Sequence, residues 1–446
     1  MKTRKTILIL EDNDERIADF KSVAAHLPEL ELVIWRDAPS MIAEVEEYFP
    51  SAALICLDHD LNPLPGSIED PGTGLDVAQF LGDFVPVCPV LIHSSNTDRV
   101  YSMHNELRFA NWIVERVGPI GNHWIGTSWL RTARELLANH GNTWKVSLPF
   151  DHQERVSRMR VSLDGLGVGD ALGEMLSYRA EAAPRILSGG LPSGTWFHTD
   201  DTEMAISICS VLKSHGNVHQ DALAKRFSRR FERDPERGYG KMTRIQLREM
   251  VGGADWRQTA VSAFSGQGSM GNGSAMRVAP LGAYFADDLS TCAREAAASS
   301  VVTHTHPEAI AGAIAVAITA AMAFQLKDEP AEKNAAIFDA LLRHTPDSEL
   351  KRRLRTASEM PADTDLAQAA KILGKGEAIT AQDTVPFCVW MAAHHSKDFT
   401  SAIGKTISVG GDCDTNAAIV GGIVALSVGR EGIPQQWLNA REIIRI

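Results

Sequence analysis

Short apolar runs alternate with amphipathic stretches over the first 140 residues. TILIL (6–10), LELVIW (30–35), AALICLD (52–58) and VPVCPVLIHSS (85–95) have the length and β-branched content of strands. Between and after them, ERIADFKSVAAHL, APSMIAEVEEYF, GLDVAQFLGDF, TDRVYSMHNELRFANWI and SWLRTARELLANH place apolar residues at helical spacing. Strands alternating with helices predict a doubly wound α/β domain with a parallel sheet. Such sheets present ligand-facing residues at the carboxyl ends of their strands. That rule selects Glu11 and Asp12 after the first strand, Asp58, His59 and Asp60 after the third, and His93, Ser94, Ser95 and Asn96 after the fourth.

The pattern breaks at GNTWKVSLPFDHQERVS (141–157), a polar stretch carrying a proline. We therefore expect a first domain over 1–145, a linker over 146–157 and a second domain over 158–446. The second region is helix-like throughout, rich in Ala and Gly and punctuated by Gly-rich segments. Its apolar run AIAGAIAVAITAAMAF (309–324) is shorter than a bilayer span and alanine-rich, so it reads as a buried helix. The stretch 327–386 is more charged and holds no readable motif.

Composition narrows the class. With 44% hydrophobic and 22% charged residues the chain has the makeup of a globular protein, and no membrane partner is expected. The net charge of −12 is uneven: residues 1–150 carry 12 basic and 21 acidic side chains. Neither region has the basic surface that nonspecific nucleic-acid binding requires. Basic residues precede TILIL, but acids follow it at once, a poor secretion signal, so the expected location is the cytoplasm. The six cysteines lack metal or redox spacing, and reduced thiols are the simplest account.

Two acid sets carry the chemistry of the second region. GTWFHTDDTEMA places Thr199, Asp200 and Asp201 at the head of an apolar-periodic helix, and SVGGDCDTNAAIVGG places Asp412, Asp414 and Thr415 at the head of another. Helix capping explains one such set. Two matched sets exceed what capping needs, because four carboxylates brought together repel unless a cation neutralises them. An all-oxygen shell of this kind selects a hard ion such as Mg²⁺, Mn²⁺ or Ca²⁺. Between the sets lies GQGSMGNGSAMRVAPLG (266–282), readable as a diphosphate cradle or as a plain tight turn. His304 and His306 in THTHPEA lack the partner pair that zinc would need.

In order, GDALG, TDDTEMA, RGYG, GNGSAMRVAPLG, THTHPEA and GGDCDTNAAIVGG resemble the ADP-ribosylglycohydrolases over about 158–446. The resemblance implies an all-α domain and an enzyme that hydrolyses the C1″ bond of ADP-ribose conjugates with two Mg²⁺ ions, or Mn²⁺. Its implied partner is an ADP-ribosylated protein, nucleic acid or small molecule. By motif match Thr199, Asp200, Asp201, Asp412, Asp414 and Thr415 become metal ligands, with Asp200, Asp201 and Asp414 catalytic. Gly271, Asn272, Gly273, Ser274 and His304 become substrate-binding. Where several relatives carry a glutamate seven residues after the Asp of GDALG this chain has Ser177, with Glu174 a candidate replacement. The catalytic acid of some arginine-specific members has no clear match near DPERGYG.

The first domain resembles a response-regulator receiver of flavodoxin-like topology. Glu11 and Asp12 fit its acidic pair, Asp58 its phosphoacceptor and Ser94 or Ser95 its switch hydroxyl. Gly118 stands where receivers carry a lysine before Pro119, and Arg116 is the nearby cation considered in its place. LDHDL and HSSN are similar to the receiver variants proposed to process cyclic or terminal phosphates, which gives His59, Asp60, His93 and Ser95 a candidate site. The other reading is a phosphorylation-dead interaction module.

Overall fold

The computed structural model describes residues 5–27, 29–63, 70–84, 86–110, 112–140, 148–177, 190–329 and 333–446. The chain divides into two compact units, Met1–Ser147 and Leu148–Ile446.

In the first unit, strands β1 (Lys5–Leu10), β2 (Leu30–Trp35), β3 (Ala52–Leu57), β4 (Val90–Ile92) and β5 (Val114–Arg116) form a parallel sheet ordered β2-β1-β3-β4-β5. Helices α1 (Asp14–Ala24), α2 (Ala38–Tyr48), α3 (Gly74–Leu81), α4 (Thr97–Phe109) and α5 (Leu130–His140) connect or follow the strands. Apolar runs without polar alternation suit strands covered on both faces. Leu8 and Leu10 join Ile55, Leu57, Val90 and Ile92 in one core, while Ile7 and Ile9 join Leu54, Cys56 and Leu91 in the other. The chain leaves β1 toward β2 and returns on the other side as β3, so the crevice opens beyond Leu10 and Leu57, which are register partners.

The named elements of the second unit are helices and helical turns, with isolated bridges at Trp196–Arg441 and Gly271–Thr380 among the described residues. Helix α6 (His152–Leu176) begins within the segment expected as linker, whose residues 146 and 147 lie outside the described set. Its glycines at 165, 169 and 173 face the backbone of the helix Cys413–Val428. A Cβ on Gly169 would lie 2.0 Å from the Ala417 carbonyl oxygen, and one on Gly173 2.5 Å from that of Cys413. Only hydrogen at these positions lets the two helices approach so closely, and the four-residue spacing runs the ladder along one ridge. That contact brings Asp170 and Asp414 to the same end of the pair.

The helix Pro307–Gln325 is long and apolar enough to cross a membrane by length and composition, yet 78% of its most apolar window is buried inside the protein. All six cysteines are free and buried.

Candidate active site

Helix α7 (Asp200–His215) starts at Thr199, whose extended backbone and side chain cap it by accepting from the Asp201 amide at 3.3 Å. Asp170 of α6 holds this start from below. It accepts from the Thr199 amide at 3.0 Å and hydroxyl at 2.8 Å, and from the Thr202 amide at 3.1 Å and hydroxyl at 2.5 Å. The second acid set arrives on the helix Cys413–Val428, with Asp412 as its N-cap residue. Two glycines with positive φ, Gly410 and Gly411, turn the chain into it, and the Asp412 amide donates to the Lys375 carbonyl at 3.0 Å. Asp170, Asp201 and Asp414 each offer an oxygen within 4.8 Å of the others, a set able to hold a metal ion. Asp200 and Thr415 are buried as well; Asp200 feels the charges of Asp414 and Asp170, and Thr415 bonds Asp412.

Burial, followed by repulsion from acidic neighbours, makes Asp170, Asp200, Asp201 and Asp412 reluctant to ionise. Burial and then Asp414 push Asp412 up to about 7. Asp170 rises to about 6, with burial again the leading cause and Asp414 adding to it. Asp200 and Asp201 are held well above the ordinary carboxylate range by burial and by their acidic neighbours. The buried Oδ1 of Asp201 has no hydrogen-bond partner among the described residues. An orphaned carboxylate oxygen among raised acids is the environment a divalent cation satisfies, so the donor set fits a hard metal ion. Arg277 is fully buried; burial lowers it to about 9 against the opposing charge of Asp200, and its guanidinium bonds Ser299 and Thr303.

The glycine-rich loop packs beside the second acid set. Asn272 donates to Asp412 at 2.7 Å and to Thr384 at 3.0 Å, so its amide group positions an acid. The Gly271 amide goes to the Ser269 hydroxyl and that of Asn272 to the Ile379 carbonyl. Ser274 is fully buried and donates to the Ala309 carbonyl. His304 lies under the loop, where a Cβ on Gly273 would come within 2.9 Å of its ring, and its Nδ1 pairs with the Thr303 hydroxyl at 2.7 Å. Burial lowers the imidazole to about 3, so it is neutral.

Ser177 donates its hydroxyl back to the Gly173 carbonyl at 2.9 Å, within its own helix. Glu174, one turn earlier, is raised by burial and then by Asp414. The two acids of DPERGYG are both paired: Asp234 with Arg237 at 2.7 Å and Glu236 with Arg244 at 3.3 Å. Arg237 also grips Glu442 through both terminal nitrogens, at 2.6 and 2.8 Å, while its own carbonyl accepts from the Asp200 amide at 2.6 Å. His198 sits between Glu203 at 3.1 Å and Glu442 at 3.3 Å. Burial raises Glu203, but His198 and Arg230 outweigh it and leave the carboxyl at about 2.

In the first unit Glu11, Asp12 and Asp58 converge within the same 4.8 Å limit. A cation is already there. Arg16, in the first turn of α1, lies 2.9 Å from Asp58 and 3.5 Å from Glu11. His93 is fully buried, with Nε2 3.4 Å from Glu11. His59 turns instead to Asp60 at 2.8 Å, and Asn96 bonds the same oxygen at 3.1 Å. Asp12 is held by Asn62 at 2.8 Å. Ser94 is buried at the end of β4, and Ser95 is exposed. Burial pushes Glu11 up, but His93, the Asn13 amide and Arg16 bring it below the ordinary value. Asp58 stays raised, by burial and by Glu11.

Five residues of the two pockets carry no sequence signal of their role. Asp170 lies within GDALG, Arg16 is an ordinary polar position of an amphipathic helix, Glu442 lies far along the chain, and Lys375 and Thr384 come from the stretch without a motif.

Residues 151–444 match the ADP-ribosylglycohydrolase family, and residues 7–109 match the cyclic-phosphate processing receiver domain. An uncharacterised protein of Archaeoglobus fulgidus is 32% identical over 297 residues, covering 63% of this chain and 90% of that protein. ADP-ribosylhydrolase ARH3 of Gallus gallus is 27% identical over 329 residues, covering 64% and 89% respectively. ADP-ribosylarginine hydrolase Tri1 of Pseudomonas putida is 25% identical over 300 residues, covering 64% and 75%. With the acids of two helix starts gathered over Asp170 and the match running through them, the chain belongs to the ADP-ribosylglycohydrolase family, a glycosyl hydrolase with a receiver-like domain at its N-terminal end.

Proposed function

We propose that the second unit is a cytoplasmic, metal-dependent hydrolase that cleaves the C1″ bond of an ADP-ribose conjugate, adding water to the ribose carbon and releasing the acceptor with a proton. One observation carries this reading: Asp170, Asp201 and Asp414 offer oxygens within 4.8 Å of one another, with raised acids around them. Thr199, Asp200, Asp201, Asp412, Asp414 and Thr415 would hold two Mg²⁺ ions, or Mn²⁺, with Asp170 also placed to ligate or to orient Thr199. When bound, the ions supply positive charge and lower the pKa of a coordinated water. The chain's own residues do the rest. Asp170 fixes the start of α7, Asn272 orients Asp412, and the loop 271–274 over neutral His304 forms a rigid wall for the ribose. A carboxylate of the cluster takes the proton of the attacking water, for which Glu174 is the half-buried alternative.

The relatives named for ADP-ribosylated substrates support this class and leave the acceptor open. A panel of ADP-ribosylated arginine, serine and nucleic acid, with O-acetyl-ADP-ribose, assayed with and without Mg²⁺ or Mn²⁺, tests it. Metal-dependent release of ADP-ribose from at least one substrate is expected. Tight ADP-ribose binding without release from any would instead make the unit a reader whose catalysis was lost with the glutamate at Ser177.

For the first unit we propose phosphate handling without an aspartyl-phosphate switch. Arg16 sits on Asp58, the residue that a phosphoryl group would have to reach, and His93 is placed to exchange a proton at Glu11. Incubation with acetyl phosphate and Mg²⁺, followed by intact mass, is expected to show no adduct. A stable adduct lost in Asp58→Ala would overturn this, and cleavage of a cyclic phosphate lost in His93→Ala would support the enzymatic form.

A further inference from the structure

We propose that the cleft between α4 and β5 is a second ligand site in the first unit, taking a small phosphorylated molecule whose phosphate is held by Arg108 and Arg116. The cleft measures about 460 Å³ and is lined by polar groups from both elements. Thr97, His104 and Arg108 lie along one face of α4, and Glu115, Arg116 and Gly118 come from β5 and the residues after it. Ser94, just after β4, also lines the cleft. Since β5 is the edge strand of the sheet, no further strand covers this side.

Charge decides the class of ligand. The first 150 residues carry 21 acids against 12 bases, yet this cleft gathers two arginines and a histidine around the single carboxylate of Glu115. Neither guanidinium has an ion-pair partner among the described residues. That of Arg116 is stacked on the Tyr101 ring, 4.7 Å from its centroid, which fixes its plane while leaving its donor edge free. Burial, and after it the charges of Arg116 and Arg108, hold His104 below its ordinary value although Glu115 opposes them, as expected where positive charge outweighs negative. Two planar forks of donors beside serine and threonine hydroxyls match the several oxygens of a phosphate better than a single carboxylate. The volume falls within the usual range for small-ligand sites, about 300–1,000 Å³, and leaves room beyond the phosphate for an organic group. The site is separate in chemistry from the Glu11–Asp12–Asp58 pocket, which repels phosphate unless a metal intervenes.

Titration calorimetry on the full chain tests this in EDTA at fixed ionic strength, where metal-assisted binding at the acidic sites is removed. The probes are inorganic phosphate, 3′-AMP and malonate. Saturable binding of phosphate or 3′-AMP is expected, weakened about tenfold by Arg108→Ala or Arg116→Ala and abolished by both, at unchanged melting temperature. Glu115→Gln is expected to tighten it. Tighter binding of 3′-AMP than of phosphate would identify an organic phosphate as the ligand, and equal affinity would identify the free ion. No saturable binding, affinity unchanged in the double variant, or malonate binding as tightly as either phosphate would overturn the proposal.

Discussion

Two acidic pockets in this chain solve the same electrostatic problem in opposite ways. In the first unit Glu11 and Asp58 close around Arg16, a cation supplied by the chain itself; against burial, His93, the Asn13 amide and Arg16 bring Glu11 below the ordinary carboxylate value, while burial and Glu11 keep Asp58 raised. In the second, Asp170, Asp200, Asp201 and Asp412 all rise, and the buried guanidinium of Arg277 bonds Ser299 and Thr303, with no carboxylate partner among the described residues. A pocket with an internal guanidinium folds complete, whereas a pocket of raised acids has its charge balanced from outside. The difference separates a pocket in which a guanidinium competes with any incoming ion from one that leaves its whole charge to a metal.

Removing a ligand acid should give the largest effect. Asp414→Asn is expected to lower ADP-ribose release by ~1,000-fold and Mg²⁺ or Mn²⁺ affinity by more than the 10–100-fold that loss of a supporting group costs. The fold should survive, because Asn keeps the shape and the Gly165–Gly169–Gly173 ladder is untouched. Calorimetric metal affinity equal to wild type would remove Asp414 from the ligand set.

The same logic predicts the opposite sign in the first unit. In the Asp414→Asn background, which weakens the second site, Arg16→Ala is expected to raise Mn²⁺ affinity at Glu11, Asp12 and Asp58 by about tenfold. The guanidinium no longer competes with the ion, and a fraction of the Coulomb energy at this range suffices for that factor, since Arg16 is partly exposed. Unchanged affinity, followed by Mn²⁺ relaxation measurements, would show that the two pockets do not differ in the way described.

Much of this was legible in the residues. Unbroken apolar runs can be buried only on both faces, so the parallel sheet and its ligand-facing ends followed from TILIL and AALICLD. The acids at Asp200 and Asp412 were visible because two helix starts shared an excess of charge. Arg16 was not, since nothing in an amphipathic helix tells that its first turn folds back over a carboxylate from β3. Nor was Asp170, whose role depends on glycine-backed contact with a helix about 250 residues away, nor Lys375, which acts through its backbone carbonyl and carries no side-chain signature.

A smaller effect concerns pH. Asp412 has a folded-state value of about 7, above the ordinary ~3.9 of an unfolded aspartate. The folded state therefore binds more protons between those values, so this group contributes stability below about pH 4 that is lost as pH rises through 7. In EDTA, Asp412→Asn is expected to gain on wild type by about 1–2 kcal/mol between pH 4.5 and 7.5, read from denaturant midpoints. Saturating Mg²⁺ should erase the difference from the wild-type side. A parallel pH dependence in the two proteins would contradict an uncompensated cluster.

The smallest effect tests how the second pocket is held. Glu442 near the C-terminal end fixes Arg237 through two hydrogen bonds, and the Arg237 carbonyl in turn receives the Asp200 amide, so the tail reaches the acid set through backbone. The main-chain bonds Trp196–Ala440 and Glu442–Trp196 secure the same strip independently of charge. Glu442→Gln removes the charge but keeps those bonds, which lets Arg237 shift by a fraction of an ångström without unfolding the segment. A displacement of that size in a positioning group should reduce kcat by about three- to tenfold with KM nearly unchanged, because geometry at the reacting carbon suffers before binding does. Arg237→Lys should do at least as much, since an ammonium cannot reproduce the bidentate contact. If both variants lose melting temperature while kcat stays at the wild-type value, the tail is a structural clasp, and the acids of α7 are positioned by Asp170 alone.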